Sequence, residues 1–338
     1  MHSSSLVLVA TILSHYGPTV SAAAAAACDP SDNGDTCRDE PVVPPYEPPA
    51  PYKAFETSQL ASSRHKGDFG RLLDAGTGAD SLRWLASLFE AHGGGASLDS
   101  YSAVTADEGM HRRVSEQARQ LGLAGKGQVV IGNWMDGVKK TTGELHFRKN
   151  KSDGILLHAG NETEMYDTIL ADYLIGAMDK FSPYHQDVVF RRLARHLRPG
   201  GRLLVLGMEP VPDAGRGAAR VAADVARARD AAALLAGERP YREYPLGWVE
   251  RALAKEEGLT VVERRVYPYR HTHEKLAAQI GVGRDHARRI PSGELRAAMT
   301  RALDDLEAES LRVTQGLKGG AFISGFNYIV IAEKDREA

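Results

Sequence analysis

The sequence predicts a doubly wound α/β fold built on a mostly parallel sheet, and three observations predict it. From about residue 67 onward, apolar runs of strand length alternate with segments of helical period, the pattern of a sheet covered on both faces. Leu72-Leu73-Asp74-Ala75-Gly76-Thr77-Gly78 sets two glycines between a strand and a helix. Arg198-Pro199-Gly200-Gly201 ends a helix and launches the next strand.

The elements follow in order. Residues 71–75 are an apolar first strand, and 80–91 repeat apolar residues at helical spacing. Residues 103–106 form the second strand and 109–121 its helix; 129–131 and 168–171 are the third and fourth strands. A helix over 187–197 precedes the fifth strand, 202–207. The Ala/Arg-rich helix at 218–235 fits no minimal sheet unit and reads as an inserted cap, near 213–247. A helix at 248–257, a sixth strand at 260–267, a long helix at 293–317 and a final strand at 321–332 complete the body. Two strands separated by a helix at this end suggest an appended antiparallel edge. The polar stretches 144–147 and 155–158 read as a small hairpin.

Composition bounds the rest. The 338 residues carry 42 Lys+Arg against 44 Asp+Glu, a net charge of −2, with 43% hydrophobic and 25% charged residues. That balance supplies no basic field, so no nucleic-acid partner is expected. Beyond the apolar run at 6–13, no stretch approaches the roughly 20 apolar residues of a membrane span, so no membrane partner is expected for the mature chain. The first 37 residues hold neither Lys nor Arg; LVLVATIL at 6–13, followed by small residues at 21–27, resembles a secretory signal peptide. Two readings stand for 1–27: a signal leading into the secretory pathway, with the final compartment open, and an Ala-rich tail. Cys28 and Cys37, the only cysteines, would meet across a small loop in an oxidising compartment. Thiol catalysis and cysteine-based zinc sites are thereby excluded from the body. Residues 28–52 end in six prolines and read as a semi-rigid linker, leaving 53–338 as the folded domain.

The glycine tract carries the chemistry. Gly76 and Gly78 allow a sharp turn and close approach to a ligand, and the following helix adds free amides. A dinucleotide-binding loop would place a third glycine where Ser81 stands. Asp74, two residues before the first glycine, suits a ligand with a cationic amino-acid tail better than a pyrophosphate. Here the chain resembles the class I S-adenosylmethionine-dependent methyltransferases. Asp74-Ala75-Gly76-Thr77-Gly78 looks like their first motif, and Tyr166-Asp167-Thr168-Ile169-Leu170-Ala171-Asp172 their fourth-strand motif. His196-Leu197-Arg198-Pro199-Gly200-Gly201-Arg202-Leu203-Leu204-Val205 is similar to their entry to strand five. The resemblance implies a seven-stranded Rossmann-like sheet with an antiparallel last strand, S-adenosylmethionine as cofactor, and methyl transfer as the reaction.

The same resemblance places the site. Asp74, Gly76 and Gly78 would underlie the methionine part of the cofactor. Thr105 occupies the usual ribose-binding acidic position, while Asp107 reads equally as a ribose ligand and as a plain helix N-cap. Asn133 and Trp134 follow strand three, where adenine is contacted; Trp134 reads either as a stacking face or as a core aromatic. Asp172 and Tyr173 end strand four at the ligand-binding rim. Tyr184, His185 and Glu209 would border the reacting methyl group, since aromatic faces and carboxylates attract a cation. Their plain readings are an exposed helix residue for His185 and a loop-ordering acceptor for Glu209. His271 and His273 lack a third ligand, so no metal is expected. The Arg-rich segment 216–229 reads as a solvated face or a substrate lid.

Methyl transfer from a sulfonium is a direct displacement, so alignment dominates. An oxygen or nitrogen nucleophile needs a base, with His185, Tyr184 or Asp172 as candidates; a thioether needs none. The expected partner is a small-molecule acceptor. A finer resemblance, in Ser81-Leu82-Arg83-Trp84, the 171–179 segment, Pro183-Tyr184-His185-Gln186 and Gly207-Met208-Glu209-Pro210, is to algal methyltransferases of methylthio-hydroxybutyrate, on the route to dimethylsulfoniopropionate. It implies a thioether acid as acceptor and a carboxylate-binding arginine, Arg242 or Arg270. The alternatives are an O- or N-methyltransferase, a nicotinamide-dependent oxidoreductase of similar architecture, and a cofactor-binding subunit without catalysis.

Overall fold

The computed structural model describes residues 46–90, 95–132, 134, 158–159 and 162–336. The expected signal, both cysteines, most of the linker and the hairpin segments 144–147 and 155–157 lie outside the described residues. The elements are α1 (Ala50–Ala61), β1 (Arg71–Asp74), α2 (Ala79–Glu90), β2 (Ser100–Thr105), α3 (Glu108–Gln120) and β3 (Gly127–Ile131). A two-stranded hairpin, β4 (His158–Ala159) and β5 (Glu162–Thr163), precedes β6 (Tyr166–Asp172), α4 (Leu174–Phe181), α5 (Gln186–Arg195) and β7 (Leu197–Met208). Then come α6 (Ala219–Leu235), α7 (Leu246–Ala254), β8 (Leu259–Thr272), α8 (His273–Ala287), α9 (Gly293–Gln315) and β9 (Ala321–Lys334).

The seven-stranded sheet has the order β3-β2-β1-β6-β7-β9-β8. Strands β3, β2, β1, β6 and β7 run parallel to one another, whereas β9 runs antiparallel to both β7 and β8. The antiparallel last strand is as expected, but it is not the edge: β9 is inserted between β7 and β8, and β8 is outermost. Strands covered on both faces read as continuous apolar runs, because alternate residues serve opposite cores. Leu203 and Val205 join Val189, Phe190, Leu193 and Val249 from α5 and α7. Leu204 and Leu206 face the other way, toward Phe55, Trp84, Leu85 and Val114 from α1, α2 and α3.

The linker expected over 28–52 overruns the fold. Ala50-Pro51-Tyr52 already form the first turn of α1, where a proline is tolerated because its missing N–H would have no helical partner. Tyr52 and Phe55 are 1% and 0% exposed, with ring centroids 5.1 and 6.1 Å from Trp84. The Trp84 indole N–H donates to Glu56 Oε1 at 2.8 Å, so α1 is clamped onto α2.

The cap is also larger than 213–247. Helix α6 is the expected insertion, but α8 and α9, from the β8–β9 connection, pack on it through Val221, Val225, Leu276, Ile280, Ile290 and Leu303. Helix α8 was hidden in the sequence because Gly281 and Gly283 interrupt its pattern. Gly283 is there for a close approach: a Cβ would meet Leu303 Cδ2 at 3.0 Å and the Arg229 backbone at 3.4 Å.

Phe55→Ala should lower the unfolding free energy by about 3–5 kcal/mol, the usual loss for a deleted core aromatic. Urea denaturation measures it; a loss below about 1 kcal/mol would show that α1 stands outside the cooperative core.

Candidate functional site

A cleft opens at the carboxyl ends of the parallel strands, where such sheets leave a ligand-sized crevice. Its lining includes Gly76, Val104, Trp134, Asp172 and Tyr173, Phe181 of α4, Met208 at the end of β7, and Tyr241 and Glu243.

Asp74, the last residue of β1, is 0% exposed, and neither carboxylate oxygen has a hydrogen-bond partner. Burial pushes its carboxyl up to about 6; the nearby Ser81 and Thr77 hydroxyls and the Gly76 amide pull back only in part. Asp172, ending β6, is equally enclosed. Its Oδ2 accepts from the Tyr52 hydroxyl at 2.8 Å, and its Oδ1 has no partner. Burial first, then the negative charge of Asp74, holds Asp172 well above the usual carboxylate range. Buried carboxylates without partners are costly, and a cationic ligand would relieve them.

The loop over them is fixed by side chains as well as glycines. Gly76 faces the cleft, where a Cβ would come 3.0 Å from Leu174 Cδ1. The Gly78 amide donates to Ser81 Oγ at 3.0 Å, and the Thr77 amide to Val104 O at 3.1 Å. Ser81, standing where a third glycine was considered, ties the loop down.

Several expected residues sit elsewhere. Thr105 is buried with its hydroxyl donating to Val130 O at 3.2 Å, while Val104 and Ala106 line the cleft. Strand alternation turns Thr105 away from a ribose. Asp107 is exposed and accepts from the Met110 amide at 2.8 Å, the N-cap of its two readings. Trp134 belongs to the core, donates to Ala75 O at 2.6 Å and also lines the cleft. Asn133 lies outside the described residues. Tyr173 stands in the left-handed region at φ 46°, with its hydroxyl donating to Asn327 Oδ1 at 3.2 Å.

On the acceptor side the expectation needs correction. Helix α4 stops at Phe181, and the turn after it, with Tyr184 at φ 70°, carries the chain outward. Tyr184 is 80% exposed under the Arg239 guanidinium, and His185 is exposed beside Pro183 O. Neither lines the cleft. Glu209 accepts from the Leu246 amide at 3.1 Å, ordering the start of α7.

Tyr241 and Glu243, absent from the sequence reading, take that side. They lie in the 236–245 connection between α6 and α7. The Arg242 amide donates to Gly176 O at 3.2 Å, and the Tyr328 hydroxyl to Tyr244 O at 2.7 Å, so the segment is pinned on both sides of Glu243. Burial pushes the Glu243 carboxyl up to about 7, with the Arg229 cation and the Met208 amide pulling down. The only sequence signal was the dense Tyr241-Arg242-Glu243-Tyr244 run behind the inserted helix.

A second cavity lies under α6 and shares Met208, Tyr241 and Glu243 with the cleft. Arg229 and Arg242 reach one carboxylate there, Asp230, at 2.8 and 3.5 Å. Arg270 is remote from it, donating to Gly319 O at 3.0 Å. His271 and His273 face Ser324 O and Ser310 Oγ, and no metal-holding cluster exists among the described residues. Among the described residues no helix is long and apolar enough to cross a membrane.

Because Asp74 titrates near 6 when folded and near 3.8 when exposed, the folded chain holds a proton that the unfolded chain has lost in between. Its contribution to stability is therefore full below about 3.8 and lost as pH rises through about 6. Asp74→Asn should stabilise the ligand-free protein at pH 8 by about 3 kcal/mol, and barely at pH 4. Thermal unfolding at the two pH values checks this; no gain at pH 8 would mean the carboxylate has found a partner.

No family model matches the chain, and no curated protein sequence matches it. Among solved structures it is similar to a Galdieria sulphuraria protein provisionally named sarcosine dimethylglycine methyltransferase, at 16% identity over 84% of this chain and 83% of that one, TM-score 0.41. It is similar to a Thiobacillus denitrificans S-adenosylmethionine-dependent methyltransferase in complex with S-adenosyl-L-homocysteine, at 14% identity over 85% and 92%, TM-score 0.42. It is also similar to the cyclase SpnF, at 17% identity over 79% and 76%, TM-score 0.42. At such scores the likeness decides nothing about chemistry, and one fold commonly hosts several reactions.

Proposed function

We propose that this chain is an S-adenosylmethionine-dependent methyltransferase acting on a small-molecule acceptor. The observation that carries the reading is a pair of buried carboxylates beside the glycine loop: Asp172, which lines the cleft with one oxygen unpartnered, and Asp74, which lies just before the lining residues Ala75 to Thr77. A ligand with an ammonium and a sulfonium relieves both, whereas a pyrophosphate would meet repulsion. Asp172 would meet the cationic end with Asp74 buried behind the loop, the Gly76–Thr77 backbone would hold the methionine tail, and Val104, Met110 and Trp134 the flat base. Support for the ribose is thinner, since Thr105 is engaged within the sheet and Asp107 caps α3. The bound cofactor supplies an electrophilic methyl group. The chain's own residues orient it and exclude water, which the apolar wall of Met178, Phe181 and Met208 favours.

Two acceptor chemistries fit different features of the site. The thioether sulfur of a methylthio-hydroxy acid, as in dimethylsulfoniopropionate formation, suits that apolar wall, with Arg242 in the adjoining cavity for its carboxylate. A hydroxyl or amine suits the carboxylate of Glu243 at the junction.

A screen of small acceptors with methyl-labelled S-adenosylmethionine tests the reading, with label in a small product as the expected result. In parallel, Gly76→Val should weaken S-adenosylhomocysteine at least about 100-fold by calorimetry, since its side chain fills the cradle, a loss of some 2.7 kcal/mol. Absence of transfer to every acceptor, together with unchanged affinity in folded Gly76→Val, would reject it.

A further inference from the structure

Of the three residues common to the cleft and the cap cavity, Glu243 alone carries a carboxylate. Its seat is specific. The carboxylate rests on Gly176 of α4, where a Cβ would lie 2.9 Å from its carbon and both its oxygens. A glycine inside a helix is unfavourable by itself, and here it leaves the room the carboxylate occupies. The Met208 amide at the end of β7 donates to it, and the backbone is tied at residues 242 and 244. The group is thus held in place in a residue that lines both the cap cavity and the cleft.

We propose that Glu243 is the proton acceptor of the methyl transfer, so that the substrate is a small amine or hydroxyl compound entering through the cap cavity. The proposal rests on the methyltransferase reading above. The nitrogen or oxygen lone pair forms a bond to the methyl carbon, and the carbon–sulfur bond breaks with its pair left on sulfur. The N–H or O–H proton passes to the Glu243 carboxylate and from there to solvent. The expected His185 could not serve, being exposed outside the cleft. Asp172, the other candidate, has one oxygen committed to Tyr52 and lies on the cofactor side.

The surroundings suit a base working near neutrality. Arg229 faces Glu243 from α6 and favours its ionised form. Asp172, at the end of β6, is itself held well above the usual carboxylate range, by burial first, with the Glu243 charge adding to the rise. Tyr241 from the same segment and Tyr328 from β9 are both pushed up by burial, and so stay uncharged. With its carboxyl near 7, Glu243 passes from mostly protonated to mostly ionised between pH 6 and 8.

Two ligands read the position without turnover: S-adenosylhomocysteine, uncharged where the methyl group would sit, and sinefungin, which has an ammonium there. In the wild type, raising the pH from 6 to 8 should tighten sinefungin relative to S-adenosylhomocysteine by up to about tenfold, as Glu243 ionises. Glu243→Gln should abolish that rise. Gly176→Ala, a change the helix itself favours, should reduce it by displacing the carboxylate. Labelled S-adenosylmethionine offered with small amines, hydroxy acids and methylthio-hydroxybutyrate then reads the chemistry. An amine or hydroxyl product is expected, falling about 100-fold or more in Glu243→Gln together with the rising limb of the pH profile. A sinefungin preference that rises equally in wild type and Glu243→Gln, or thioether methylation undiminished in that variant, overturns the proposal. If the wild type binds neither ligand, the methyltransferase reading fails instead.

Discussion

The open end of the sheet is built around two buried carboxyl groups. Asp74 and Asp172 end neighbouring parallel strands and both are buried; Tyr52 donates to Asp172, while Asp74 has only the nearby Ser81 and Thr77 hydroxyls and the Gly76 amide. A folding chain gains nothing from such an arrangement, because desolvated carboxylates oppose burial and each other. They persist because the surrounding core over-determines their positions: β1 and β6 are held in register from Leu72↔Thr168 to Asp74↔Leu170, with covered faces on both sides. The rigid sheet stores an electrostatic demand that a cationic ligand satisfies, and the glycine loop leaves the room for it.

The helices outside the minimal sheet complete that arrangement. Helix α1 reaches back over the sheet edge and delivers the Tyr52 hydroxyl to Asp172 while stacking on Trp84. Helices α6 and α8 line a second space, and the segment leaving α6 places Tyr241 and Glu243 in the lining of both cavities. The cleft is thus built largely at the strand ends, and the second cavity largely by inserted helices and loops.

That division also explains what the sequence revealed. Asp74, Gly76, Asp172 and Tyr173 were legible because strand-to-loop-to-helix adjacency is local, and local order fixes which residues sit at a strand's carboxyl end. Thr105 was misplaced by one residue of strand parity, since Val104 and Ala106 hold the cleft-facing positions. Tyr184 and His185 were misplaced because a left-handed turn after the short α4 swings them outward, a conformation no pattern announces for a tyrosine. Glu243 was illegible because it reaches the site only through a long-range return of the insertion onto Gly176. Helix α1 was masked by its prolines, and α8 by its two glycines.

The most direct test of the account is equilibrium binding of S-adenosylhomocysteine and of NAD to the wild-type chain, measured side by side at pH 7.5. The buried carboxylates predict saturable binding of S-adenosylhomocysteine, whose ammonium they can pair with, and none of NAD, whose pyrophosphate they repel. Saturable binding of NAD with none of S-adenosylhomocysteine would contradict it.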